Sequence, residues 1–174
     1  MESLLVDIHK CLGINDDHLK MNRLTLQKQP KLEDLQVVEI DYEGKPFVLV
    51  SGAAKAWLEM KSKAIESNIM LMPFSGFRSY LHQKNLIERH LKNGRSLEDI
   101  FTQIAIPGYS EHHSGKAVDV HTKEKALLEE EFENSQEFNW LMKNAFNFGF
   151  KLSYPRSNPF GIIYEPWHWL YIGS

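Results

Sequence analysis

Short β-prone runs and amphipathic helical stretches follow one another irregularly along this chain, without the strict strand–helix–strand order that a parallel sheet requires. That pattern confines the fold to the α+β class. Leu4, Leu5, Ile8 and Leu12 recur at helical spacing and predict a short amphipathic helix. Residues 14–36 are polar and irregular and read as a surface arm. Val37–Tyr42 and Pro46–Val50, split by Glu43-Gly44-Lys45, read as a hairpin. Ser51-Gly52 opens a helix to about Ser67, with Ala54, Trp57, Leu58 and Ile65 assigned to one face. Ile69–Phe74 has the character of a buried strand. Ser79–Lys92 is helical and stops at Asn93-Gly94, and Ser96 is placed to cap another short helix. Ala117–His121 reads as a strand, Ser135–Phe148 as a helix ending at Gly149, and Phe150–Tyr154 and Ile162–Ile172 as two closing strands.

A chain of 174 residues with 43% hydrophobic content is long enough to bury roughly 70% of its unfolded surface in one domain. We therefore expect a single domain over 1–174, with 1–36 forming an N-terminal helix and arm. The net charge of −3 and the lack of a basic patch argue against a phosphate-tracking nucleic-acid binder. Cys11 is the only cysteine, which excludes an intrachain disulfide and thiolate metal sites. No apolar run approaches the roughly 18 residues of a membrane helix, so no membrane insertion is expected. The start, MESLLVDIHKCLG, lacks a basic leader. The expectation is a cytoplasmic protein, or a periplasmic or extracellular one only if a signal was removed upstream. Glu129-Glu130-Glu131 with Glu133 reads as a solvated acidic face.

Three segments concentrate the unusual residues: Ser75–Ser79 (SGFRS), Ser110–Asp119 (SEHHSGKAVD) and Glu165–Trp169 (EPWHW). In a strand over 117–121, Asp119 shares a face with Ala117 and His121 while Val118 and Val120 point the other way. A buried carboxylate there needs a cation, a metal or several donors, and His112 is a candidate neighbour. Glu165 and His168 are three apart, so in a regular strand they face opposite ways. They serve one site only if the backbone bends near Trp167 or they approach a centre from different sides. Otherwise His168 is a packed histidine between Trp167 and Trp169. Two histidines, an aspartate and a spare glutamate match the needs of a catalytic Zn²⁺ site, three N/O ligands and a general base. Arg78 adds a positive charge suited to an oxyanion or a substrate carboxylate.

The string Ser-x-His-x-x-Gly-x-Ala-x-Asp over 110–119, followed by Glu-Pro-Trp-His over 165–168, resembles the VanY-type D-alanyl-D-alanine carboxypeptidases. These are zinc peptidases related to VanX-like dipeptidases and L-alanyl-D-glutamate endolysins. Arg78 with Gln83, Pro107-Gly108 and Ser153-Tyr154-Pro155 match the family in kind and order, so the resemblance spans 69–173 within a core of 37–174. It implies a small antiparallel sheet flanked by helices, with one Zn²⁺ on the sheet face. His112, Asp119 and His168 would be the ligands, Glu165 the general base and Arg78 the partner of the oxyanion or carboxylate. Gln83, Ser110 and Tyr154 would contact substrate. The implied reaction is hydrolysis of the terminal D-alanine from peptidoglycan stem peptides or muropeptides. Alternatives are L,D-carboxypeptidase, dipeptidase or endopeptidase action on the same class of peptide, or a non-catalytic zinc-binding module. The presence of Glu165 argues for activity. Leu170 stands where many relatives carry arginine. His113 is read as exposed or as a support to the site, and His121 is the rival ligand because it shares a strand face with Asp119.

Overall fold

The computed structural model describes residues 3–21, 23–41, 44–122 and 128–173. Helix α1 (Ser3–Leu12) buries Leu5, Ile8 and Leu12 and leaves Leu4 exposed. The arm after it is less irregular than expected: it holds a short helix, α2 (Asp16–Met21), and a 3-10 turn at Leu32–Asp34. Strands β1 (Leu35–Ile40) and β2 (Pro46–Val50) form the expected antiparallel hairpin, with a register slip between Val37 and Glu39. Tyr42 and Glu43, part of the expected strand end and turn, lie outside the described residues.

Helix α3 (Ser51–Glu66) corrects the assigned face. Ala53, Ala54, Trp57, Met60 and Ala64 are buried, whereas Leu58 and Ile65 are exposed. The alanines let the helix lie close to the hairpin with Trp57 filling the gap, so the close-packed face is the one with small residues rather than the one with the most Leu and Ile. Helices α4 (Tyr80–Lys92), α5 (Leu97–Ile100) and α6 (Gln136–Asn144) each begin at a serine whose hydroxyl accepts a backbone N–H: Ser79 from His82, Ser96 from Asp99, Ser135 from Phe138. The expected 135–148 helix tightens into a 3-10 turn at Ala145–Phe148 before Gly149 (φ +75°).

A four-stranded antiparallel sheet carries the site. Its strands are β3 (Met72–Ser75), β4 (Ala117–His121), β5 (Phe150–Leu152) and β6 (His168–Tyr171), in the order β3-β4-β6-β5. The last strand is far shorter than the expected 162–172, because Pro166 and a tight turn precede His168. Ile69 and Leu71 are buried ahead of β3 rather than within it. Val118 and Val120 pack into a core with Leu49, Trp57, Leu141, Phe150 and Trp169. A second apolar cluster joins α1 to α4 through Leu5, Ile8, Tyr80 and Ile87, with Ile100 and Phe101. All five residues of β4 are buried, so the face bearing Asp119 is also covered. Among the described residues no helix is long and apolar enough to cross a membrane.

Candidate metal centre

Strand register builds the centre. Asp119 on β4 lies directly opposite His168 on β6 and Ser75 on β3, and facing residues of neighbouring strands share one side of the sheet. The question of how Glu165 and His168 meet is answered by the backbone. The His168 N–H donates to the Glu165 carbonyl at 3.1 Å, closing a tight turn with Pro166 at its second position. Both side chains thus reach the same centre, and Glu165 Oε2 lies 3.8 Å from His168 Nδ1.

His112 arrives from outside the sheet, on a 3-10 turn over Glu111–Ser114 that ends at Gly115 (φ +69°). Its Nδ1–H donates to the Gly76 carbonyl at 2.7 Å, which directs Nε2 to within 3.0 Å of Asp119 Oδ2. His168 is held between two carboxylates, with Nδ1 at 3.0 Å from Asp119 Oδ1 and Nε2 at 2.9 Å from Glu111 Oε2. Sequence reading missed Glu111. It stands beside His112 in the motif, but nothing local announces that it reaches a strand 57 residues further on.

Arg78 donates from Nη1 to Gln83 Oε1 and from Nη2 to Ser75 Oγ, both at 3.1 Å, with Nη2 3.7 Å from Asp119 Oδ2. Gln83 is fully buried, and its amide also donates to the Ala105 carbonyl at 2.6 Å. It therefore holds Arg78 in place as well as lining the cleft. The cleft, about 170 Å³, is lined by Arg78, Gln83, Ser110, Tyr154 and Glu165 together with His112, Asp119 and His168. The Tyr154 ring lies 4.8 Å from the His168 ring. Trp167 also walls the cleft, while Trp169 packs beneath and donates its indole N–H to the Pro166 carbonyl.

The remaining sequence readings divide: the acidic run is exposed as expected, and of the two readings of His113 the supporting one holds. His113 is fully buried, not exposed. Its Nδ1–H donates to the Arg78 carbonyl at 2.6 Å and its Nε2 accepts the Gly108 N–H at 3.1 Å, so it ties two loops of the site together. His121 pairs with Met72 and donates Nδ1–H to the Thr122 carbonyl; it stays outside the cluster of potential ligands. Leu170 faces Ala117 and Lys151 on the neighbouring strands and is absent from the cleft lining. Glu129, Glu130 and Glu131 are exposed, and Glu130 and Glu133 pair with Arg156.

The buried charges set the electrostatics. Burial pushes the Glu165 carboxyl up to about 8, helped by the negative Asp119 and Glu111 and opposed by His168 and Arg78. Burial resists a charge on His168, yet Asp119 and Glu111 outweigh it and raise the imidazolium to about 10. Asp119 is held far below the usual carboxylate range, because His112 and His168 overcome its burial. Burial lowers His112. The metal-ligand test is met by the donor set. His112, Asp119 and His168 each offer one atom, and these atoms all lie within 4.8 Å of one another. The outer nitrogen of each histidine is engaged by a protein acceptor, as metal-ligating histidines require. The three face the cleft, leaving an open side, the arrangement of a catalytic rather than a structural zinc site.

Fold and donor set together define an α+β domain with a buried His-Asp-His cluster suited to a metal ion. The family model for VanY, D-alanyl-D-alanine carboxypeptidase, matches residues 47–174, and the chain belongs to that family. It is 36% identical over 168 residues to the bifunctional D-Ala-D-Ala dipeptidase and carboxypeptidase VanXYC of Enterococcus gallinarum, covering 92% of this chain and 82% of that protein. Against other curated relatives it spans only 36–45% of their length. The solved structure of the LdcB LD-carboxypeptidase aligns with TM-score 0.74 and 27% identity, over 85% of this chain and 75% of that one. The Zn(II) complex of a D,D-pentapeptidase VanY from a VanB-type resistance cassette shares the fold, with TM-score 0.64 and 22% identity over 88% and 89% of the two chains.

Proposed function

We propose that the protein is a zinc-dependent carboxypeptidase that removes the terminal D-alanine from peptidoglycan stem peptides. The observation that carries this is the convergence of three potential ligand atoms within 4.8 Å, with a buried carboxyl, Glu165, 3.8 Å from one of them. His112, Asp119 and His168 would hold one zinc ion. Zinc, when bound, supplies Lewis-acid activation of water and of the scissile carbonyl. Glu165 accepts a proton from the attacking water and delivers it to the leaving amine as the C–N bond breaks. Its buried position on the cleft wall lets it hold that proton between the two halves of the task. Arg78, held by Gln83 and Ser75, offsets negative charge on the carbonyl oxygen or on the C-terminal carboxylate. Ser110 and Tyr154 contribute polar groups to the cleft wall that orient the peptide.

Dipeptidase or L,D-carboxypeptidase action on the same peptides is the second reading, supported by the similarity to VanXYC and to LdcB. Mass spectrometry of zinc-loaded protein with a pentapeptide ending in D-Ala-D-Ala tests the first reading, with a tetrapeptide and free D-Ala-D-Ala alongside. The expected result is loss of one alanine from the pentapeptide. Cleavage of the tetrapeptide or dipeptide alone would transfer the assignment to the second reading, and no cleavage of any would leave a zinc-binding module.

A further inference from the structure

We infer that Glu111 is a positioning residue for the metal ligand His168, fixing which ring nitrogen that histidine presents. This rests on the metal reading of the His112–Asp119–His168 cluster. His168 has Asp119 on its Nδ1 side and Glu111 on its Nε2 side, at 3.0 and 2.9 Å. The Asp119 side is the one shared with His112 and the cleft. Only Nδ1 can therefore serve a metal held jointly with the other two residues, and its lone pair is free only when the ring proton sits on Nε2. Glu111 accepts a hydrogen bond from that Nε2–H. The flanking rings of Tyr154 and His112, with centroids 4.8 and 4.9 Å away, confine the plane of the imidazole.

The two histidines are braced differently. His112 has a neutral acceptor, the Gly76 carbonyl, whereas His168 has a carboxylate that is only 15% exposed. A charged acceptor makes the stronger hydrogen bond and renders the opposite nitrogen the better donor to a cation. The adjacent residues Glu111 and His112 thus divide the work: one is a ligand, and the other supports a second ligand arriving from β6.

Glu111→Met keeps the bulk and removes the acceptor, whereas Glu111→Gln keeps an acceptor oxygen and removes the charge. Zinc affinity, measured by competition with a chromogenic chelator, should fall about 10- to 100-fold in the Met variant and by less in the Gln variant. In ¹H–¹⁵N spectra of the zinc-loaded proteins, the His168 Nε2–H signal should be present in wild type, shifted upfield in the Gln variant and lost to exchange in the Met variant. Unchanged zinc affinity in the Met variant would overturn the inference while leaving the metal site intact. Equal weakening by Gln and Met, with the Nε2–H signal unchanged, would also overturn it and assign Glu111 to packing alone. Absence of zinc binding by the wild type would overturn the metal reading together with the role of Glu111.

Discussion

At position 165 a carboxyl is kept out of water and beside two other acids, and that placement, more than its identity, makes it suitable for proton transfer. Glu165→Ala should leave zinc affinity within a few-fold of wild type, since Glu165 lies outside the His112–Asp119–His168 set. Peptide turnover should fall by about 10²–10⁴. Chelator competition and mass-resolved hydrolysis on the same preparation check both halves. His113 gives a pH prediction. Only its neutral ring can both donate to Arg78 and accept from Gly108, and burial, opposed by the Arg78 carbonyl and aided by the Arg78 and His112 charges, pushes its pKa down to about 4. Between the ordinary histidine value of about 6.5 and about 4, the unfolded chain takes up a proton that the folded chain refuses, so stability rises with pH there. This group's contribution is complete above pH 6.5 and is lost as pH falls toward 4, amounting to about 3 kcal/mol. Urea unfolding of wild type and His113→Asn across pH 4.5–7.5 should show a flatter pH dependence in the variant. Parallel curves would refute this account.

Between elements, Gly76 governs how its loop reaches the sheet. A Cβ on Gly76 would stand 2.5 Å from the Val48 carbonyl oxygen and 3.0 Å from the Phe47 ring, and the Gly76 carbonyl is the acceptor that orients His112. Gly76→Ala should therefore destabilise the fold by about 1–3 kcal/mol and weaken zinc binding as well. Denaturant titration and chelator competition measure the two effects, and a loss confined to stability would detach Gly76 from the metal site. The tight turn at Glu165–His168 shows why element boundaries were only partly legible. The Ser96 cap, the strand at 46–50 and the strand at 117–121 follow from neighbouring residues and appear where the sequence places them, whereas the first hairpin strand begins two residues earlier than expected, at Leu35. The strand expected over 162–172 breaks at a turn whose geometry depends on its pairing with β4 and β5.

At the scale of the molecule, the centre joins parts of the chain far apart in sequence, so its ligand is coupled to stability. Zinc at a thousand times its dissociation constant should add about 4 kcal/mol to the unfolding free energy. Chelation should lower Tm, and stoichiometric zinc should restore it, as read by differential scanning calorimetry; an unchanged Tm would argue against a tight site. The N-terminal helix also bears on the centre. His9 Nε2–H donates to the Pro107 carbonyl at 2.7 Å, next to Gly108, whose N–H reaches His113. The sequence by itself determined the α+β class and the starts of the helices at Tyr80, Leu97 and Gln136, and its resemblance to a known family singled out His112, Asp119 and His168, because periodicity, caps and motif order are local or ordinal properties. Only the tertiary structure decided that Glu111 braces His168, that His113 is a buried neutral tie and that α3 packs through its alanines. Each depends on strand register or on close approach between distant segments, where distances of about 3 Å separate a hydrogen bond from no interaction.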